Sequence, residues 1–161
     1  MKAIKIRPRS VSRIVIVALN LRTAGGLSVG RNVVETLPVI APMHRYLMIV
    51  PEGCGYPNYH GSDNVTVLEC PHMNLLRRQV WERLTLRRTI SDFEPNWIWA
   101  LGNLAVATSF CKQSLLFHNA HRVYQVETLR PISLKDRLFK WVADKSLRRS
   151  LRRISRLYCQ T

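Results

Sequence analysis

The run Ile14-Val15-Ile16-Val17-Ala18-Leu19-Asn20-Leu21-Arg22-Thr23-Ala24-Gly25-Gly26-Leu27-Ser28-Val29-Gly30-Arg31-Asn32 decides the fold class. Near-continuous apolarity over Arg13–Asn20 marks a strand buried on both faces, as in a parallel sheet. A double glycine follows, and a helical pattern starts at once. Strand, glycine loop and helix in that order bring bare backbone and a helix N-terminus up to a phosphate or a sugar.

Outward from this unit the chain alternates. Strand-like runs recur at Arg45–Val50, Asn64–Glu69, Trp97–Leu101 and Ser114–His118, each short and bounded by Gly, Pro or Asn. Helical patterns lie between them. Leu27–Ile40 sets Val33, Val34 and Leu37 on one side, and Leu75–Ile90 is expected to turn Leu76, Val80, Leu84 and Leu86 inward and its arginines outward. A short helix is expected near Leu104–Phe110. The alternation predicts one α/β domain over residues 1–161, Rossmann-like and doubly wound, with a mostly parallel sheet.

A last, basic amphipathic helix is expected over about 133–156. Ser133 is its candidate N-cap, Asp136 an acid in its first turn, and Leu147, Leu151, Ile154 and Tyr158 an apolar stripe. The net charge of +15 concentrates here: ten Lys/Arg against two Asp between Arg130 and Arg156 leave a local balance of +8. Arg137, Lys140, Lys145, Arg148, Arg149, Arg152 and Arg153 form a patch suited to a polyanion, and Trp141 and Phe139 lend it an interfacial character. An acidic membrane surface is the expected partner, at roughly 1 kcal/mol per basic residue. The same helix with its stripe packed on the sheet is the plainer alternative.

Other classes are excluded or left without support. Four scattered cysteines with no C-x-x-C pair fit reduced thiols better than a disulfide framework. Cys54, His60, Cys70 and His72 match no common zinc spacing, so no metal site is expected. The basic N-terminus precedes an apolar core too short for a signal peptide, and Trp97–Cys111 is too short to span a bilayer. Gly25-x-x-x-x-Gly30-Arg31-Asn32 comes close to a P-loop, but Arg31 and Asn32 replace the lysine that reaches the phosphates and the hydroxyl that binds magnesium. No helix-turn-helix, zinc finger or RNA-recognition signature accompanies the arginines, so nucleic acid is not the favoured partner.

Three strand ends carry polar or glycine residues to what should be one sheet edge: Gly25-Gly26, Gly102-Asn103 and His118-Asn119. The loop Pro51–His60 adds Tyr56, Tyr59 and His60, able to stack on a flat ligand or to pack on the domain.

Ala24-Gly25-Gly26-Leu27 opening a helix, Trp99-Ala100-Leu101-Gly102-Asn103, and Leu116-Phe117-His118-Asn119-Ala120 together resemble the N-terminal domain of a GT-B glycosyltransferase, closest to retaining family 4. The resemblance spans roughly Arg13 to Thr161 and implies one half of a two-domain, sugar-transferring fold. It places Gly25 and Gly26 at the donor pyrophosphate and assigns His118 to positioning and charge stabilisation near the transferred sugar. Asn103, Asn119 and Tyr59 fall on the acceptor side. It implies a nucleotide-sugar co-substrate with no other cofactor, and a glycan or lipid-linked acceptor. Its expected setting is the cytoplasm, peripheral on the inner face of a membrane.

The family's donor-binding half is not in these residues. The expectation is therefore a fragment, remnant or subunit that is inactive alone and needs a donor-binding domain in cis or in trans. A basic nucleic-acid-binding module and a non-catalytic partner subunit are the alternatives.

Overall fold

The computed structural model describes residues 10–59, 62–73, 75–102, 104–107, 111–117, 141, 145 and 147–159. Six strands form one sheet: β1 (Arg13–Val17), β2 (Arg45–Pro51), β3 (Val65–Cys70), β4 (Trp97–Leu101), β5 (Lys112–Phe117) and β6 (Arg156–Cys159). Every pairing is parallel, and the order across the sheet is β3-β2-β1-β4-β5-β6. This is the strand order of the Rossmann α/β fold, with its topological switch between β1 and β4. The expected fold class is the one observed.

The central strands are apolar because both of their faces are covered. On one face, Ile16, Met48, Val50 and Val34 build a core with Tyr46 and Tyr56. On the other, Val15, Ile49 and Ile98 pack with Leu86 and Ile90.

Helix α1 (Ala24–Ile40) covers the first face. It begins three residues before the expected Leu27, so both glycines lie in its first turn. Gly30, Val34 and Pro38 are its buried residues, with Val33 and Leu37 packed alongside.

The second face is covered by α2 (Leu75–Trp81), a π-helical turn (Glu82–Leu86) and α3 (Arg87–Phe93), which follow one another without a break. The expected inward face is corrected here. Val80 and Leu84 are 58% and 68% exposed, whereas Leu86 and Ile90 are buried, with Trp81 and Phe93 packed on the core. The π turn supplies the reason: its i→i+5 bonding admits an extra residue and resets the phase of the apolar face. Trp81 and Leu86, five apart, share a face that a regular helix would have split.

The basic C-terminal segment also departs from expectation. Helical backbone among its described residues ends at Leu151, a turn occupies 152–153, and β6 begins at Arg156. Leu147, Leu151, Ile154 and Tyr158 therefore do not form one helical stripe. Sheet pairing outweighs the helical period: Ser155 N–H donates to the Gln113 carbonyl at 2.8 Å, and β6 then runs in register with β5. Arg156 stacks on Trp97 at 5.3 Å, and the rings of Tyr158 and Trp99 lie 6.3 Å apart. Residues 133–140 and 108–110 lie outside the described residues, and the described residues 104–107 are not helical, so the short helix expected near Leu104–Phe110 is not found there.

Candidate functional site

In an open α/β sheet the ligand crevice lies beyond the carboxyl ends of the strands that flank the topological switch, here β1 and β4. The chain leaves β1 through a turn closed by Leu21 N–H on the Ala18 carbonyl at 2.9 Å. Asn20 then reaches across to β4, where its Nδ2 donates to the Gly102 carbonyl at 2.9 Å. Gly102 N–H donates in turn to the Leu116 carbonyl of β5 at 3.3 Å. Three strand ends are thus laced into one edge.

Gly102 has a reason to be glycine. Its φ is +132°, and an added Cβ would stand 2.9 Å from the Asn20 Cβ.

Helix α1 starts at this edge. Thr23 is its extended N-cap but makes no side-chain cap bond, and the first turn holds no acid. The first N–H groups of a helix have no partner within it, and they carry the positive end of its dipole. Around Gly25 the space is open, with no atom from outside its own helical turn within 4 Å of where a Cβ would be. The edge can therefore take an anionic oxygen chemically.

Gly30 and Arg31, the rest of the P-loop-like spacing, are used for packing. A Cβ on Gly30 would overlap the Tyr56 hydroxyl and lie 2.9 Å from Leu21 Cδ1. The Tyr56 hydroxyl donates to the Leu21 carbonyl at 3.0 Å, and burial pushes its pKa up to about 12. Arg31 Nε donates to the Cys54 carbonyl at 3.1 Å, and a second guanidinium nitrogen donates to the same oxygen. The loop after β2 is held onto α1 by these contacts, and no phosphate is needed to explain either residue.

Tyr59 joins the same lock. Its hydroxyl donates to the Val34 carbonyl at 2.9 Å. Val34 is nine residues beyond Gly25, about 13 Å along the helix at 1.5 Å per residue. Gly25 and Gly26 are thus brought to the switch-point edge, and Tyr59 is held on the flank of α1. Burial, and then the charge of Glu35, raise the Tyr59 pKa. Asn103, His118 and Asn119 lie outside the described residues.

Of the basic patch, Lys145, Arg148, Arg149, Arg152 and Arg153 are exposed, and Lys145 Nζ stands 4.5 Å over the Trp141 ring. Trp141 is itself 58% exposed. Arg137 and Lys140 lie outside the described residues. Among the described residues no helix is long and apolar enough to cross a membrane, and no group of three His, Cys, Asp or Glu is placed to hold a metal.

Sequence reasoning passed over Asn20, which read only as the end of an apolar run. An Asn one residue past the last apolar turn of β1 was the available signal. It also read Arg78 as part of a solvated face, although Arg78 is half-buried beside the end of β3.

Comparison with protein-family models, with curated proteins and with solved structures returned no match to this chain.

Proposed function

We propose that this chain is the acceptor-side half of a GT-B sugar transferase, working with a donor-binding half supplied in cis or in trans. The observation that carries the reading is the β3-β2-β1-β4-β5-β6 order, which puts the uncapped amino end of α1 beside the β1/β4 switch point. A nucleotide-sugar's diphosphate would meet the N–H groups around Gly25 and Gly26. The strand ends carrying Asn103, His118 and Asn119 would line the sugar and acceptor side, with His118 in a positioning and charge-stabilising role. The resemblance of these three segments to family 4 supports the sugar-transfer reading over other uses of the same crevice.

The exposed cations from Lys145 to Arg153, with Trp141, support peripheral contact with an acidic membrane, where a lipid-linked acceptor would be met.

The test is a titration of the isotope-labelled chain with UDP- and GDP-sugars. Saturable shifts at the amides of Asn20, Gly25, Gly26 and Gly102 are expected, with no turnover by the chain alone. Absence of saturable shifts at this edge with every nucleotide-sugar would overturn the reading.

A further inference from the structure

A second hollow opens at the carboxyl edge of the sheet, on the α2 side of the β1 terminus. It measures about 190 Å³, and Leu19, Arg22, Cys70, Pro71, His72 and Arg78 are among its lining residues. The lining brings two guanidiniums and one imidazole together and includes no carboxylate. Arg78 is tied through Nε to Glu82 at 2.7 Å. Arg22 is half-buried, and among the described residues it has neither a hydrogen-bond acceptor nor an acid partner. Arg22, Arg78 and Glu82 all stand close enough to the buried Cys70 thiol to act on it electrostatically, the two arginines lowering its pKa and Glu82 raising it.

A half-buried cation without an acid partner, as Arg22 is among the described residues, loses hydration that an acidic ligand offsets. The guanidinium fork matches an oxyanion in a bidentate way that an ammonium cannot. Size narrows the class. Pockets that enclose a drug-sized ligand run to roughly 300–1,000 Å³, so this one suits a small group. Arg78 gives its Nε to Glu82, and its remaining guanidinium N–H groups can join Arg22 on the several oxygens of a phosphate.

We propose that this pocket binds a phosphate monoester group, held by Arg22 and Arg78 with His72 at the rim. The pocket shares the β1–α1 loop with the β1/β4 crevice, but Cys70, His72 and Arg78 line it from β3 and α2, and the proposal does not depend on sugar transfer. The phosphate has two chemical sources, a small soluble phosphomonoester or the headgroup of an acidic lipid.

The isotope-labelled chain is titrated with glycerol 3-phosphate, with glycerol as the neutral control. In parallel it is mixed with phosphatidylcholine vesicles with and without phosphatidic acid. Saturable shifts confined to Leu19, Arg22, Cys70 and His72 are expected with the phosphomonoester. Arg22→Gln should weaken binding at least tenfold, while Arg88→Gln, at an exposed site on α3, leaves it unchanged. Should Arg22→Gln fail to fold, Arg22→Lys keeps the charge and loses only the fork, and should weaken binding at least threefold. Binding to phosphatidic acid vesicles alone, lost in the Arg22 variant, assigns the phosphate to a lipid headgroup. No saturable binding in either arm, or binding that the Arg22 variants leave unchanged, overturns the proposal.

Discussion

The Tyr59 hydroxyl donates to the carbonyl of Val34 at 2.9 Å, and Val34 is the residue four before Pro38 inside α1. Proline has no N–H, so the Val34 carbonyl loses its helical donor, and Tyr59 replaces it from outside. Removing that hydroxyl with Tyr59→Phe should cost about 1–2 kcal/mol of stability. In a Pro38→Ala background the helix recovers its own donor, and the same change should cost measurably less. Urea unfolding of the four proteins in a double-mutant cycle checks this, with a coupling of about 0.5–1 kcal/mol expected. Strict additivity would sever the proposed link between proline and tyrosine.

Gly30 is expected to resist substitution for a reason unrelated to phosphate. Alanine there gains roughly 1 kcal/mol in helix propensity. It also drives a methyl into the Tyr56 hydroxyl and Leu21, an overpacking cost of about 1–3 kcal/mol. Net destabilisation follows, and Tyr56→Phe should relieve part of it by removing the obstructing oxygen. Thermal midpoints of Gly30→Ala with and without Tyr56→Phe decide the matter.

At the switch point, Gly102→Ala should destabilise by roughly 1–3 kcal/mol from backbone conformation alone, because φ of +132° is close to glycine-only. The clash with the Asn20 Cβ adds to this. Asn20→Ala, which loses only the bond to the Gly102 carbonyl, should cost about 1 kcal/mol. A Gly102→Ala protein as stable as the parent in denaturant would contradict the observed backbone.

Gln113 is wholly buried, and its amide is used twice by one residue. Val106 N–H donates to Oε1 at 3.1 Å, and Nε2 donates to the Val106 carbonyl at 3.2 Å. Gln113→Leu keeps the volume and strands both backbone groups, at about 1–3 kcal/mol for each buried group left unsatisfied. Hydrogen exchange at the Val106 amide should accelerate in the variant, well beyond the change at the amides of β1.

Alkaline pH should weaken the fold through Cys70. Burial pushes its thiol from the ordinary 9.0 up to about 12, although Arg22 and Arg78 pull the other way. Between those values the unfolded chain has released the proton and the folded chain retains it. The unfolded state binds fewer protons, so stability falls as pH rises through that window. Cys70→Ala should flatten this part of the pH profile. In the folded protein at pH 8, a thiol reagent should modify the exposed Cys159 first and leave Cys70 intact.

Much of the architecture was legible because its signals are local. Apolar runs bounded by Gly, Pro and Asn located five strands to within a few residues, and the near-continuous apolarity of Arg13–Asn20 required a strand covered on both faces. Helix α1 was legible from Val33, Val34 and Leu37. The π turn was not, since Val80 and Leu84 fit a regular helix as well as Leu86 and Ile90 do, and only docking on the sheet selects between the two faces. Helical periodicity hid β6 in the same way: Tyr158 continues a helical spacing until pairing with β5 claims it.

The glycine loop shows the division most directly. The residues Gly25, Gly26 and Gly30 announce a strand-to-helix turn with an approachable backbone, and the order of elements alone implies that. Which glycine meets open space and which meets a tyrosine depends on a loop that returns from β2, some twenty-five residues later. Local periodicity specifies elements because it acts between neighbours in the chain. The uses of Gly30, Asn20, Arg22 and Tyr59 depend on contacts between distant segments, and only the folded sheet brings those together.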